Sequence, residues 1–288
     1  MNRPRLRHII ATLALVATAA VTAACSNTAP VTPADTTAQS PAAASATLAV
    51  SHIHAALRDP KTGNLLAATH EGLYEQTPAG WQRRGPVIDL MGFAIATDGS
   101  FYASGHPGIG TDLPQPLGLI HSTDRGGSWT VLSRGGQSDF HALTVAAGTV
   151  IGFDGELRTS TDGSTWVTGA IPAAPYWLTA NPAGTIVATT ETGAFTSDDK
   201  AATWTALTTP APFVVAAFAD EDTIVAATAD GTLAQSDDAG ATWRTGPTPL
   251  GQTGAISATR TGDTIEIVAV TEAGLRTTTD LGATTATT

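Results

Sequence analysis

Along most of the chain, apolar residues come in short runs separated by clusters of Gly, Asp, Ser and Thr. Residues 176–207 show the pattern plainly: YWLTA, TIVATTE, GAFTS and TWTAL read as four short strands with turn residues between them. SHIHAAL at 51–57 reads as another strand. Alternate strand residues face the same way, so His52 and His54 share one side and Ile53 takes the other.

The strands belong to a repeat. STDRGGSW occupies 122–129, STDGSTW 160–166, SDDKAATW 197–204 and SDDAGATW 236–243. TTDLGATT at 278–285 keeps the pattern without its tryptophan, and EQTPAGW, ending at Trp81, is a worn first copy. The closing positions, Trp81, Trp129, Trp166, Trp204, Trp243 and Thr285, are 37 to 48 residues apart. A glycine opens the strand before each copy: Gly72, Gly118, Gly155, Gly193, Gly231 and Gly274.

These motifs resemble the Asp-boxes of the sialidase-like (BNR) β-propellers, whose members are often labelled glycosyl hydrolases or exo-alpha-sialidases. The resemblance covers residues 48–288. It implies that each box is the turn between the third and fourth strands of a blade. There the Asp side chain accepts backbone N–H groups, Gly supplies an unusual backbone angle and Trp packs between sheets. Asp124, Asp162, Asp199, Asp238 and Asp280 are then structural. Six units of four strands predict an all-β, six-bladed β-propeller with Asp-box repeats. The ring closes either with the C-terminal GATTATT as the last outer strand or with residues 45–50, SATLAV, pairing there.

The first residues change the setting. Arg3, Arg5 and Arg7 precede an apolar run from Ile9 to Val21, too short to be read as a membrane span. The run ends in VTAAC, and Cys25 is the sole cysteine. This resembles a bacterial lipobox, with Thr22 where Leu, Val or Ile is usual. It implies a lipoprotein signal peptide at 1–24, lipidation of Cys25, and a protein held by its lipid on the extracytoplasmic side of the cell membrane. Residues 25–47, rich in Ala, Thr, Pro and Ser, read as a disordered tether. With no further cysteine, a packed core must hold the fold. From Cys25 onward, 11 basic residues face 25 acidic ones, a formal charge of −14 that argues against nucleic acid as a partner.

The candidate chemistry follows from the repeat. Aligning the innermost strands puts His54, Phe93, His141, Trp177, Val215 and Ile256 at equivalent channel-lining positions, with His52 nearer the mouth. His70 and His106 end the second strands of blades one and two. The start of a first strand and the end of a second lie at one face, opposite the box turns. His52, His54, His70, His106 and His141 are therefore expected on one face, with His121 at the other end of its blade. All six histidines after Cys25 lie between 52 and 141. Upkeep of the fold would need them in every blade. The insertion HPGIGTDLPQP (106–116) lengthens the same face and carries Asp112. Asp89, Asp139 and Met91 stand at the first strands of blades two and three, whereas Glu71, Asp154, Glu191, Asp230 and Glu272 read as turn residues.

Three functions fit that face. His52, His54 and His141 with Asp139 suit zinc or copper, and Met91 would favour copper. Asp89 and Asp139 are the candidate carboxylates of a sialidase-like glycoside hydrolase. True sialidase activity is not expected, because the family's Arg-Ile-Pro motif and arginine triad are not found. The third and preferred reading is a tethered propeller that binds a protein or glycan through His52, His54, His70, Met91, His106, Asp112, Asp139 and His141, with or without a metal.

Overall fold

The computed structural model describes residues 47–288; the leader, Cys25 and the tether through residue 46 lie outside them. The described residues form six four-stranded antiparallel sheets and no helix. The blades span 53–84, 88–133, 142–169, 175–207, 215–245 and 253–287. Strand order within each follows the chain, so the fold is the expected six-bladed β-propeller.

The second strand of a blade shows why these residues form sheets in a ring. Leu65–Thr69 and Ile186–Thr190 are buried at every position. Such a strand has a neighbouring blade on each face, so it reads as a continuous apolar run rather than an alternation. Outer strands such as Val167–Gly169 are exposed throughout and short.

Each innermost strand packs on the next around the ring, and that of blade 6 packs on that of blade 1. Ala56 and Leu65 share a core there with Ala255, Val268, Val270 and Leu275, and Ile53 packs against it. Arg58 adds a two-point bond across the same seam, donating to the carboxylate oxygens of Glu266 at 2.7 and 2.6 Å. The C-terminal segment Ala286–Thr287 pairs with Gly274–Thr278 as the last outer strand. Residues 47–50 join no strand. Blade 6 thus closes with its own tail as the fourth strand.

Four of the five Asp-centred turns share one geometry. Asp124 accepts the Ser128 backbone N–H at 2.8 Å and the Ser128 and Ser122 hydroxyls, while Ser122 Oγ accepts the Gly126 N–H. Asp199, Asp238 and Asp280 each accept the backbone N–H four residues on in the same way, and Asp162, in a turn one residue shorter, accepts those of Ser164 and Thr165. They sit at the face opposite the histidines and brace their own loops.

Candidate functional site

The histidine face is built by β-bulges. In blade 1, Ile53 pairs with Thr69 and Ala55 with Ala68, leaving His54 as the extra residue. A bulge re-aims one side chain out of the ladder, and bulges gather at rims and sites. The same shift falls at Met91 in blade 2, Tyr176 in blade 4 and Gly254 in blade 6. This corrects the sequence alignment. The register puts Met91, His141, Tyr176, Val214 and Gly254 at the position of His54, one or two residues before the expected Phe93, Trp177, Val215 and Ile256. Only the match of His54 with His141 is as aligned. An extra residue per bulge is invisible to a period count, because the slip is smaller than the variation in repeat length. Phe93, two residues on, is buried edge-on against Phe101 and still forms part of the central cavity wall.

Two groups of side chains form at the face. In the first, His54 Nε2 lies 3.5 Å and His70 Nε2 4.0 Å from Asp89 Oδ1. The three donor atoms are all within 4.8 Å of one another. His70 stacks on His54 with ring centroids 4.7 Å apart, and His52 meets His54 edge-on at the same distance. The group bridges blades 1 and 2: His54 and His70 come from the two strands at the open end of one hairpin, and Asp89 from the next blade's first strand.

In the second, His106 Nε2 lies 3.1 Å and His141 Nδ1 3.5 Å from Asp139 Oδ2. The Gln115 amide approaches His106 Nδ1 at 3.3 Å, so the insertion holds this ring in place. His106 lies within the strand Phe101–Pro107, so the true loop starts two residues later than expected. His141 precedes the strand Ala142–Ala146, in a bend. Asp112 is exposed in the loop and joins neither group.

Burial sets the electrostatics. The His54 side chain is 11% exposed. Its desolvation, and then the neighbouring His52, His70 and His141, lower its pKa to about 4, with Glu71 opposing. The ring is therefore neutral at physiological pH, and its approach to Asp89 is no ion pair. His54 Nε2 and Asp89 Oδ1 are both buried with no hydrogen-bond partner. Burial also disfavours the charged form of Glu71, but hydrogen bonds from the Ser51 hydroxyl and N–H outweigh it and hold the carboxyl below its usual range.

A central cavity of about 820 Å³ follows the ring axis, with His54, Met91 and His141 in its lining at this end and Arg58, Arg260 and Glu266 at the other. Trp177 lies within it and packs against core clusters of blades 1 and 2, of 5 and 6, and of the closing seam. The expected metal set of His52, His54 and His141 with Asp139 is divided in the structure: His54 lies with His70 and Asp89 and in ring contact with His52, whereas His141 and Asp139 lie with His106. The pairing of the first strand's start with the second strand's end was the signal for His70.

No protein-family model matches the chain, and no curated protein is similar to it. Solved structures are. The GH74 enzyme of Niastella koreensis is 20% identical with a TM-score of 0.58, over 81% of this chain and 36% of its own. The GH74 xyloglucanase of Xanthomonas campestris is 16% identical with a TM-score of 0.54, over 81% and 45%. The propeller of a nidogen/laminin complex is 13% identical with a TM-score of 0.60, over 78% and 93%. This chain spans 36% and 45% of the length of those two GH74 enzymes. At such identities the likeness is one of fold, and folds of this kind carry many functions.

Proposed function

We propose that this protein is a membrane-tethered, extracytoplasmic metal-binding propeller. It holds zinc or copper on His54, His70 and Asp89 and presents the ion to a protein or glycan ligand at the channel mouth. One observation carries the reading: His54 Nε2 and Asp89 Oδ1 face each other at 3.5 Å, both buried and both without a hydrogen-bond partner. Leaving two such groups unpaired is costly, and a cation between them would satisfy both. Metal–ligand bonds of about 2.0–2.2 Å require only a small inward movement of these donors. The neutral His54 ring needs no deprotonation to bind.

Two imidazoles and a carboxylate suit zinc and copper, and three protein ligands leave a position for a ligand's own donor atom. The exposed Tyr176 stands on the same face and adds apolar contact area. Glycoside hydrolysis by Asp89 and Asp139 is less well supported, because each carboxylate faces two imidazoles rather than open space. The tether rests on Cys25 at the end of its apolar run.

The test begins with fractionation: the parent chain is expected in the membrane fraction and full-length Cys25→Ser in the soluble one. The soluble chain is then titrated with zinc and with copper. Binding tighter than about micromolar, about −8 kcal/mol, is expected, with one fewer tightly held ion in His54→Ala/His70→Ala. Equal binding by that variant would remove the site.

A further inference from the structure

The two groups at the histidine face share two of their three positions. Pairing of Ala68 with Leu73 in blade 1, and of Ala103 with Ile120 in blade 2, puts His106 in the place of His70. With Met91 and His141 at the register position of His54, Asp89 and Asp139 stand two residues before it, each in the same place. Each seam thus sets a histidine from the end of one blade's second strand against an aspartate of the next blade. A second imidazole lies 3.5 Å from the aspartate in both: His54, the bulge residue of blade 1, at the first seam, and at the second His141 of blade 3, which holds the same register position without a bulge while Met91 stands where a copy of His54 would.

We infer that the seam between blades 2 and 3 holds a second ion of the same kind, on His106, Asp139 and His141. The inference rests on the metal reading of the first seam. Both imidazoles approach Asp139 Oδ2, and its other oxygen, Oδ1, is buried with no hydrogen-bond partner. The Gln115 contact at His106 Nδ1 leaves Nε2 turned on Asp139. The donors of His106, Asp139 and His141 do not all lie within 4.8 Å of one another as those of the first group do, so the His141 ring, 62% exposed, must turn to close on an ion, which it can do without disturbing the core. Asp89 and His106 pair directly in the blade 2 sheet, so the two centres are neighbours. No other blade supplies this donor set: the residues in the place of Asp89 are Ala174, Pro212 and Gln252 in blades 4, 5 and 6. The array would bind ligands with two donor groups, such as a dicarboxylate, more tightly than ligands with one.

The experiment is a count of ions. Full-length Cys25→Ser, which lacks the single thiol, is equilibrated with zinc alone, and tightly held zinc per chain is measured. Two ions are expected in this parent. One is expected in His106→Ala/His141→Ala and one in His54→Ala/His70→Ala. Apo melting temperatures show whether each variant folds; if the His106/His141 variant melts early, Asp139→Asn is counted instead and must also lose one ion. A parent count of one, unchanged by the His106/His141 substitutions, overturns the second ion and leaves the first. A single ion lost from either double variant means one shared site and overturns the inference. A count of zero removes the reading on which it rests.

Discussion

The chemistry of the face turns on single protonation states. His54 titrates near 4 in the native protein and near 6.5 when unfolded. Between those values the unfolded chain takes up a proton that the native one refuses. Stability therefore falls as the pH drops from about 6.5 to about 4, and is fully present above 6.5. His54→Leu should flatten this decline. Apo melting temperatures at pH 7.0 and 4.5 would check it, the parent losing more, with each kcal/mol worth about 2–4 °C in a domain of this size. The aspartates of the turns act in a lower window. Hydrogen bonds from Ser128, Thr203 and Thr284, respectively, hold Asp124, Asp199 and Asp280 at about 2, so their contribution is lost only as the pH falls from about 4 towards 2. Equal pH slopes in parent and variant would show that His54 is not desolvated as described.

At the scale of the element, the repeated turn is held by backbone geometry as much as by its aspartate. Gly126 has φ +82°, and a Cβ there would lie 2.4 Å from Leu73 Cδ2 in the neighbouring blade. Left-handed backbone costs a non-glycine residue about 1–2 kcal/mol, and the collision adds to it. Gly136, at φ +74° with open space around it, meets only the first penalty. Gly126→Ala is thus expected to lower the melting temperature more than Gly136→Ala, the difference measuring the blade-to-blade contact. The neighbouring Arg125 strengthens the same seam, donating to Asp59 at 2.5 Å and to Glu75 at 2.7 Å, both carboxylates buried. The turn motif therefore does two jobs, folding its own loop and docking that loop on the previous blade.

At the scale of the molecule, closure makes six weak sheets into one unit. No four-stranded blade buries both faces alone, and each borrows its core from its neighbours, as the shared clusters show. Trp177 ties blades that are not neighbours through the channel. Truncating a buried aromatic residue costs about 3–5 kcal/mol, and the half-buried Trp177 belongs at the lower end. Trp177→Ala should lower the melting temperature by roughly 6–12 °C while keeping a single calorimetric transition. Two separated transitions would mean that the ring melts in parts.

The architecture was legible in the chain because it is local and repeated. Each Asp-centred turn is made by residues within five positions of one another, and each strand by its own apolar run, so STDRGGSW and its copies announce blades without reference to the rest of the fold. The gathering of His52, His54, His70, His106 and His141 at one face followed from the same period. Which imidazole meets which carboxylate did not. His54 meets Asp89, 35 residues on, because a bulge turns its side chain towards the next blade, and His106 meets Asp139 across another seam. The tail rather than residues 47–50 closes blade 6, a choice between two similar segments made by pairing with Gly274–Thr278. Such contacts depend on side-chain direction and on packing between blades, which exist only once the ring has closed. The sequence by itself determined the blades; the tertiary structure decided the partners.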